Sequence, residues 1–215
     1  MMKNNFKYRL YGRSKGRNKN NKINEINSKK KINLINKSKY NIIDIGSGYG
    51  ESSIELAKLD KQNVVIACEK FIDGINNTLN KIQTDSIENL FIFHGNANQF
   101  LDENCVDKSI SEIWILFPDP WPKKRHFKRR LINLEFIKKL KKLLKQNAKI
   151  HIASDSKSYI AHILDCVHKI KKDFKWINQS KQEWEYASLS LPKTKYYKKA
   201  LKNGRNSFYI KLMKL

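Results

Sequence analysis

Asn41-Ile42-Ile43-Asp44-Ile45-Gly46-Ser47-Gly48-Tyr49-Gly50-Glu51 passes from a β-branched run through alternate glycines into a helical pattern. Glycines between a strand and a helix let the backbone turn sharply and approach a ligand with no side chain in between. A dinucleotide fingerprint, GxGxxG, needs its third glycine at position 51, where this chain has Glu51. A carboxylate at a helix N-terminus repels a pyrophosphate. The pattern is DxGxGxG, suited to a ligand without phosphates. An ordinary tight βα turn explains the glycines equally well when they are taken alone.

Further along, short β-branched runs alternate with helical patterns. Candidate strands are Asn41–Ile45, Val64–Cys68, Leu90–His94, Ile113–Phe117 and Lys149–Ala153. Candidate helices cover Glu51–Leu59, Ile72–Ile82, Asn96–Leu101, Leu131–Leu144 and Lys157–Ile170. Alternation at this spacing predicts an α/β fold, Rossmann-like, with a parallel sheet and helices on both faces. Phe174–Asn178 and Ser207–Leu212 read as two more strands, giving seven in all with an antiparallel C-terminal edge. Residues 1–38 lack apolar periodicity and read as a basic, flexible N-terminal arm before a single domain over 39–215.

Glu69 ends the second strand, where a carboxylate can accept both hydroxyls of a ribose. With Asp44 on the first strand it points to a nucleoside carrying positive charge, and S-adenosyl-L-methionine fits. Asn96 follows the third strand, placed for adenine, its amide able both to accept and to donate.

The 215 residues carry 44 Lys+Arg against 20 Asp+Glu, a net charge of +24. An A+T-rich genome would raise lysine without any function being involved, but it would do so evenly. The distribution is uneven: residues 1–40 are net +12, 41–119 net −8, 120–150 net +11 and 151–215 net +9. That division favours a polyanion partner. No apolar run approaches the roughly 20 residues that span a bilayer, and the N-terminus has no secretory pattern. Cys68, Cys105 and Cys166 are far apart, so a reducing, cytoplasmic setting is expected. The five histidines have no metal-like spacing, and no metal is expected.

The fourth strand runs into Phe117-Pro118-Asp119-Pro120-Trp121-Pro122-Lys123-Lys124-Arg125-His126-Phe127-Lys128-Arg129-Arg130. In open α/β sheets ligands sit beyond the carboxyl ends of the strands, so Asp119 should face the cofactor. Three prolines stiffen the turn. Trp121 offers a stacking surface for a base, and the cations after it suit phosphates.

This stretch resembles the FPDPW-x-K-x-R-H-x-K-R-R signature of the bacterial tRNA (guanine-N7-)-methyltransferases, class I S-adenosylmethionine-dependent enzymes. DIGSGYGESSIELA, ACEK, the Ala153–Asp155 segment and TKYYKKALKNGR from Thr194 to Arg205 resemble other family segments, in order over nearly the whole chain. The resemblance implies methyl transfer from S-adenosyl-L-methionine to N7 of a guanosine in the variable loop of tRNA. It implies that Asp44, Gly46, Gly48, Glu69, Asn96 and Asp119 meet the cofactor and that Asp119 is the catalytic residue. Lys123, Asp155, Thr194, Lys195, Tyr196 and Tyr197 would meet the substrate. Two positions depart from the family: Asn96 and Tyr197 stand where Asp and Glu are usual. The partner is then tRNA, with no membrane and a monomer or homodimer. All seven arginines fall in three places, and a planar fork suits phosphate. Arg13, Arg17, Arg125, Arg129, Arg130 and Arg205 are therefore expected on one tRNA-facing surface. Alternatives are a methyltransferase acting on an amino group, or an RNA-binding protein that has lost its cofactor. The first would show consecutive prolines in place of Pro118-Asp119-Pro120; the second would not bind S-adenosylhomocysteine.

Overall fold

The computed structural model describes Tyr8, residues 39–185 and residues 193–215. Apart from Tyr8, whose hydroxyl donates to Asp102 at 2.9 Å, the arm expected over 1–38, with Arg13 and Arg17, lies outside the described residues. The elements are β1 (Asn41–Ile45), α1 (Glu51–Leu59), β2 (Val64–Glu69), α2 (Ile72–Thr84), β3 (Leu90–His94), α3 (Ala97–Asn104) and β4 (Ile110–Leu116). A 3-10 turn over Lys124–Arg129 then leads to α4 (Leu134–Leu143), β5 (Leu144–Ser154), α5 (Lys157–Lys169), β6 (Phe174–Trp176), α6 (Lys181–Glu185), α7 (Lys195–Lys202) and β7 (Phe208–Lys214).

Alternate side chains of each strand bury on opposite faces. Ile43, Ile45, Ile66, Ile113, Ile115, Ile150 and Ile152 meet Phe100 and Leu101 of α3, Phe136, Ile137 and Leu140 of α4, and Tyr159 and Ile163 of α5. Ile42, Val65, Ala67 and Trp114 face the other way, against Ile54, Leu56 and Ala57 of α1. At roughly 1.5–3 kcal/mol per large apolar side chain, these two layers supply the main driving force for folding.

The seven strands lie in the order β3-β2-β1-β4-β5-β7-β6. β1 through β5 pair in parallel, and β7 runs antiparallel between β5 and β6. The mixed seven-stranded sheet with its antiparallel edge is the one expected. After β1 the chain winds toward β2 and β3, and after β4 toward β5. The crevice above the carboxyl ends of β1 and β4 is therefore the topological switch point, where doubly wound sheets bind ligands.

Candidate active site

Asp44, the fourth residue of β1, is fully buried, and its Oδ2 accepts from the hydroxyls of Ser52 and Ser53 on α1, both at 2.6 Å. Its Oδ1 has no hydrogen-bond partner. Burial, countered by the serine hydroxyls, pushes its pKa up to about 6. Asp44 thus sits beneath the glycine turn and fastens it to α1.

Above it, Gly46, Gly48 and Gly50 all have positive φ. Gly50 is the residue preceding α1, at φ 77, and an added Cβ would lie 2.3 Å from Thr78 Oγ1. The turn rests on α2: a Cβ at Gly74 would lie 2.1 Å from the Gly48 carbonyl oxygen, and Asn77 Nδ2 donates to the Tyr49 carbonyl at 2.8 Å. Glu69 closes β2 as expected, but its carboxylate ties the neighbouring backbone together. Oε2 accepts from Gly48 N at 2.7 Å, and Oε1 from Lys70 N and Phe71 N at 2.6 and 2.9 Å. Asn96 caps α3, its Oδ1 accepting from Asn98 N at 2.7 Å.

Asp119 is exposed, in the turn that leaves β4. Two non-glycine residues flank it in left-handed backbone, Phe117 at φ 53 and Trp121 at φ 43. Such conformations persist only where surrounding contacts enforce them, and they cluster at functional sites. The Trp121 ring meets the Arg129 guanidinium 5.0 Å from its centroid and the His126 ring edge-on at 5.7 Å. Partial burial, then the charges of Arg129, Arg125, Lys123 and Lys128, hold the His126 pKa below its usual value. The run after Asp119 is therefore a concentrated positive field.

α7 closes the cleft. Lys195 N donates to Glu51 of α1, and Lys195 Nζ stands 4.0 Å from the Tyr49 ring centroid. Tyr196 Cε2 lies 3.3 Å from where a Cβ on Gly48 would be. Burial raises the Tyr196 hydroxyl pKa, and the nearby charges of Glu69 and Asp119 add to it. The cleft of about 310 Å³, open mouth included, is lined by Gly46, Ser47, Glu51, Phe117, Lys195 and Tyr196 among others.

Three expected substrate contacts are placed otherwise. Tyr197 is a correction: it is 6% exposed and packs with Ala153 and Tyr209, because it falls on the inward side of α7. The buried Thr194 hydroxyl caps α7, accepting from Tyr197 N at 3.3 Å. Asp155 pairs with Arg205 at 3.2 Å, so each is the other's partner. Lys123 and Arg125 are exposed, four and six residues after Asp119 in sequence. Arg130 is the second correction. It is 2% exposed and bonded to Pro120 and Ser158, so it has no surface to offer a phosphate. Sequence reasoning also passed over Gly74 and the Glu51–Lys195 contact. A glycine inside a helical pattern was the available signal for the first. Among the described residues, no cluster of His, Cys, Asp or Glu could hold a metal ion, and no helix is long and apolar enough to cross a membrane.

A family model described as "Putative methyltransferase" matches residues 38–210. The chain is 34% identical over 182 residues to the tRNA (guanine-N(7)-)-methyltransferase of Leptospira interrogans serogroup Icterohaemorrhagiae serovar copenhageni, covering 84% of this chain and 82% of that one. It is 36% identical over 165 residues to the protein of the same name from Nitrosomonas europaea, covering 76% and 71%. A solved S-adenosylmethionine-dependent methyltransferase from Aquifex aeolicus matches with a TM-score of 0.53 at 14% identity, over 90% of this chain and 97% of that one. That is a likeness of fold.

Proposed function

The chain belongs to the tRNA (guanine-N7-)-methyltransferase family, and from that premise we propose that it methylates N7 of a guanosine in the variable loop of tRNA, in the cytoplasm, using S-adenosyl-L-methionine. The observation that carries the reading is the meeting of Glu69 and Tyr196 at Gly48, in a glycine turn at the switch point of the sheet.

The residues present fit the cofactor. The glycine turn leaves open space at Gly46, where a Cβ would meet nothing within 4 Å. Asp44 beneath it carries an unpartnered buried oxygen, and Glu51 and Glu69 add negative charge around the same turn. Such a donor set suits a cationic nucleoside and opposes a phosphate. Glu69 would take the ribose hydroxyls by exchanging its bond to Gly48 N, and Asn96 would meet the adenine from the end of β3. When bound, the cofactor supplies an electrophilic methyl group on a sulfonium.

Guanine N7 carries an in-plane lone pair and no proton, so the chain need not provide a general base. Its task is to hold the purine in line and to offset the positive charge the ring acquires. Asp119, exposed in the turn after β4, would accept from the N1–H and N2–H₂ donors of guanine and stabilise that charge. Tyr196 and Lys195 line the cleft. Lys123, Lys124 and Arg125, exposed four to six residues after Asp119, would take the flanking phosphates.

The test is to incubate the protein with unmodified tRNA and methyl-labelled cofactor, then digest the tRNA and identify the labelled nucleoside. Label in 7-methylguanosine is expected. Label in a methylated exocyclic amine, or none at all, overturns the reading.

A further inference from the structure

We propose that Arg130 is a positioning residue for methyl transfer, acting on Asp119 through the carbonyl of Pro120. The inference rests on the methyltransferase reading above and assigns a role to the one arginine of the basic run that points inward.

Six of the eight residues from Lys123 to Arg130 are Lys or Arg. Lys123, Lys124, Arg125 and Lys128 are exposed, whereas Arg130 is 2% exposed. A guanidinium cannot shed its proton, so a buried one must find acceptors for its fork of N–H groups. Nε donates to the Pro120 carbonyl at 2.9 Å, NH1 to the Ser158 carbonyl at 3.2 Å and NH2 to the Ser158 hydroxyl at 3.1 Å. Its flat carbon lies 3.7 Å from the Phe127 ring centroid and 4.9 Å from that of Tyr159. One side chain therefore joins three segments: the turn bearing Asp119, the end of the 3-10 turn, and the first turn of α5, which begins two residues after Asp155.

The Pro120 carbonyl immediately follows Asp119 and lies between the two left-handed residues, Phe117 and Trp121. A turn with strained flanks relaxes unless something holds it. Arg130 grips it at its middle and anchors it to α5, which Tyr159 fixes in turn by accepting from Ile132 N at 2.9 Å. Lysine can supply the charge at position 130 but not three divergent donors in one plane.

The test compares full-length wild type, Arg130→Lys, Asp119→Ala and the double variant. Initial rates, KM for tRNA, S-adenosylhomocysteine affinity by calorimetry and the salt dependence of tRNA binding are measured well below each variant's Tm. Positioning predicts that Arg130→Lys lowers kcat by about 10- to 100-fold and leaves KM and the salt slope unchanged. It should cost less than about twofold when added to Asp119→Ala, since coupled residues are non-additive. An unchanged kcat with a raised KM and a salt slope lower by about one would make Arg130 a phosphate contact and overturn the proposal. An undiminished loss in the Asp119→Ala background would overturn it too, because the effect would not pass through Asp119. If Arg130→Lys does not fold, Ser158→Ala loosens the anchor while keeping the guanidinium. A fall in kcat of about two- to fivefold is then expected, and an unchanged kcat refutes the role. Wild type that makes no 7-methylguanosine removes the functional reading and this proposal with it. An active wild type with unaffected variants removes the proposal alone.

Discussion

Asp44 and Asp119 are carboxylates at the ends of neighbouring strands with opposite surroundings, and environment divides their tasks. Asp44 has no exposed surface and one unpartnered oxygen. Its pKa is raised from 3.8 to about 6, so the native state holds its proton more tightly than the unfolded chain does. Stability from this group is fully present below about pH 4 and is lost as pH rises to about 6; two units correspond to about 3 kcal/mol. Asp44→Asn removes that loss. Without cofactor, its Tm should exceed the wild-type Tm by a margin that widens from pH 4.5 to pH 7; a margin independent of pH refutes this. The same variant should bind S-adenosyl-L-methionine at least about tenfold more weakly, since electrostatic preorganisation is stored at a cost in stability. Asp119 is exposed. Asp119→Ala should leave Tm within a degree or two and lower kcat/KM for tRNA by about 100- to 1000-fold. Quantitative mass spectrometry of 7-methylguanosine reads this directly, and a loss under tenfold would move the charge-offsetting role elsewhere.

At the scale of elements, what positions the turn is α2 beneath it and α7 above it. Gly74→Ala tests the first. Alanine favours a helix by up to about 1 kcal/mol over glycine, yet the added methyl would lie 2.1 Å from the Gly48 carbonyl, a backbone atom that cannot rotate away. Overpacking costs about 1–3 kcal/mol, so the turn must shift. S-adenosylhomocysteine affinity should fall at least about tenfold by calorimetry while far-UV helicity holds; unchanged affinity would show that the turn tolerates the displacement. The sequence displayed β1, α1 and β3 to the residue, because glycine, Asp and Asn punctuate their ends. It displayed less where punctuation and periodicity part. β5 begins at Leu144, directly after α4, because Asn147 takes φ 61 and a register shift between Ile110 and Glu112 absorbs the irregularity. Polar Lys145, Gln146 and Asn147 hide that strand from any apolar pattern. α4 begins at Leu134 because Asn133 caps it, three residues after the apolar run starts. α7 is only eight residues long, its buried Tyr197 and Ala200 span a single turn, and the Thr194 cap fixes where it starts. The same holds within the site. The motif located Asp119, Glu69 and the glycines, whereas the inward turn of Arg130 and Tyr197 depends on three-dimensional neighbours that spacing does not encode.

For the whole molecule, the strand order converts a division along the chain into one across the sheet. Residues 41–119, net −8, supply β3, β2, β1 and β4 side by side. The stretches 120–150 and 151–215, net +11 and +9, supply β5, β7 and β6 beyond them. The boundary falls between β4 and β5, at whose carboxyl ends Asp119 and Asp155 stand. A cationic cofactor is thus drawn to one half and a polyanion to the other, and they meet where the transfer takes place. Codon bias could raise the lysine count but would not align this boundary with the site. For a tRNA substrate, the logarithm of affinity should fall linearly with the logarithm of salt concentration, losing about 10³-fold between 50 and 200 mM if six phosphates are neutralised. Replacing both Lys124 and Arg125, exposed in the basic run after Asp119, by alanine should lower that slope by about two. Replacing Lys61 and Lys81, exposed on the acidic half, should leave it unchanged. Equal reductions from both pairs would mean that the excess charge acts as a diffuse field, and the division across the sheet would not orient the tRNA.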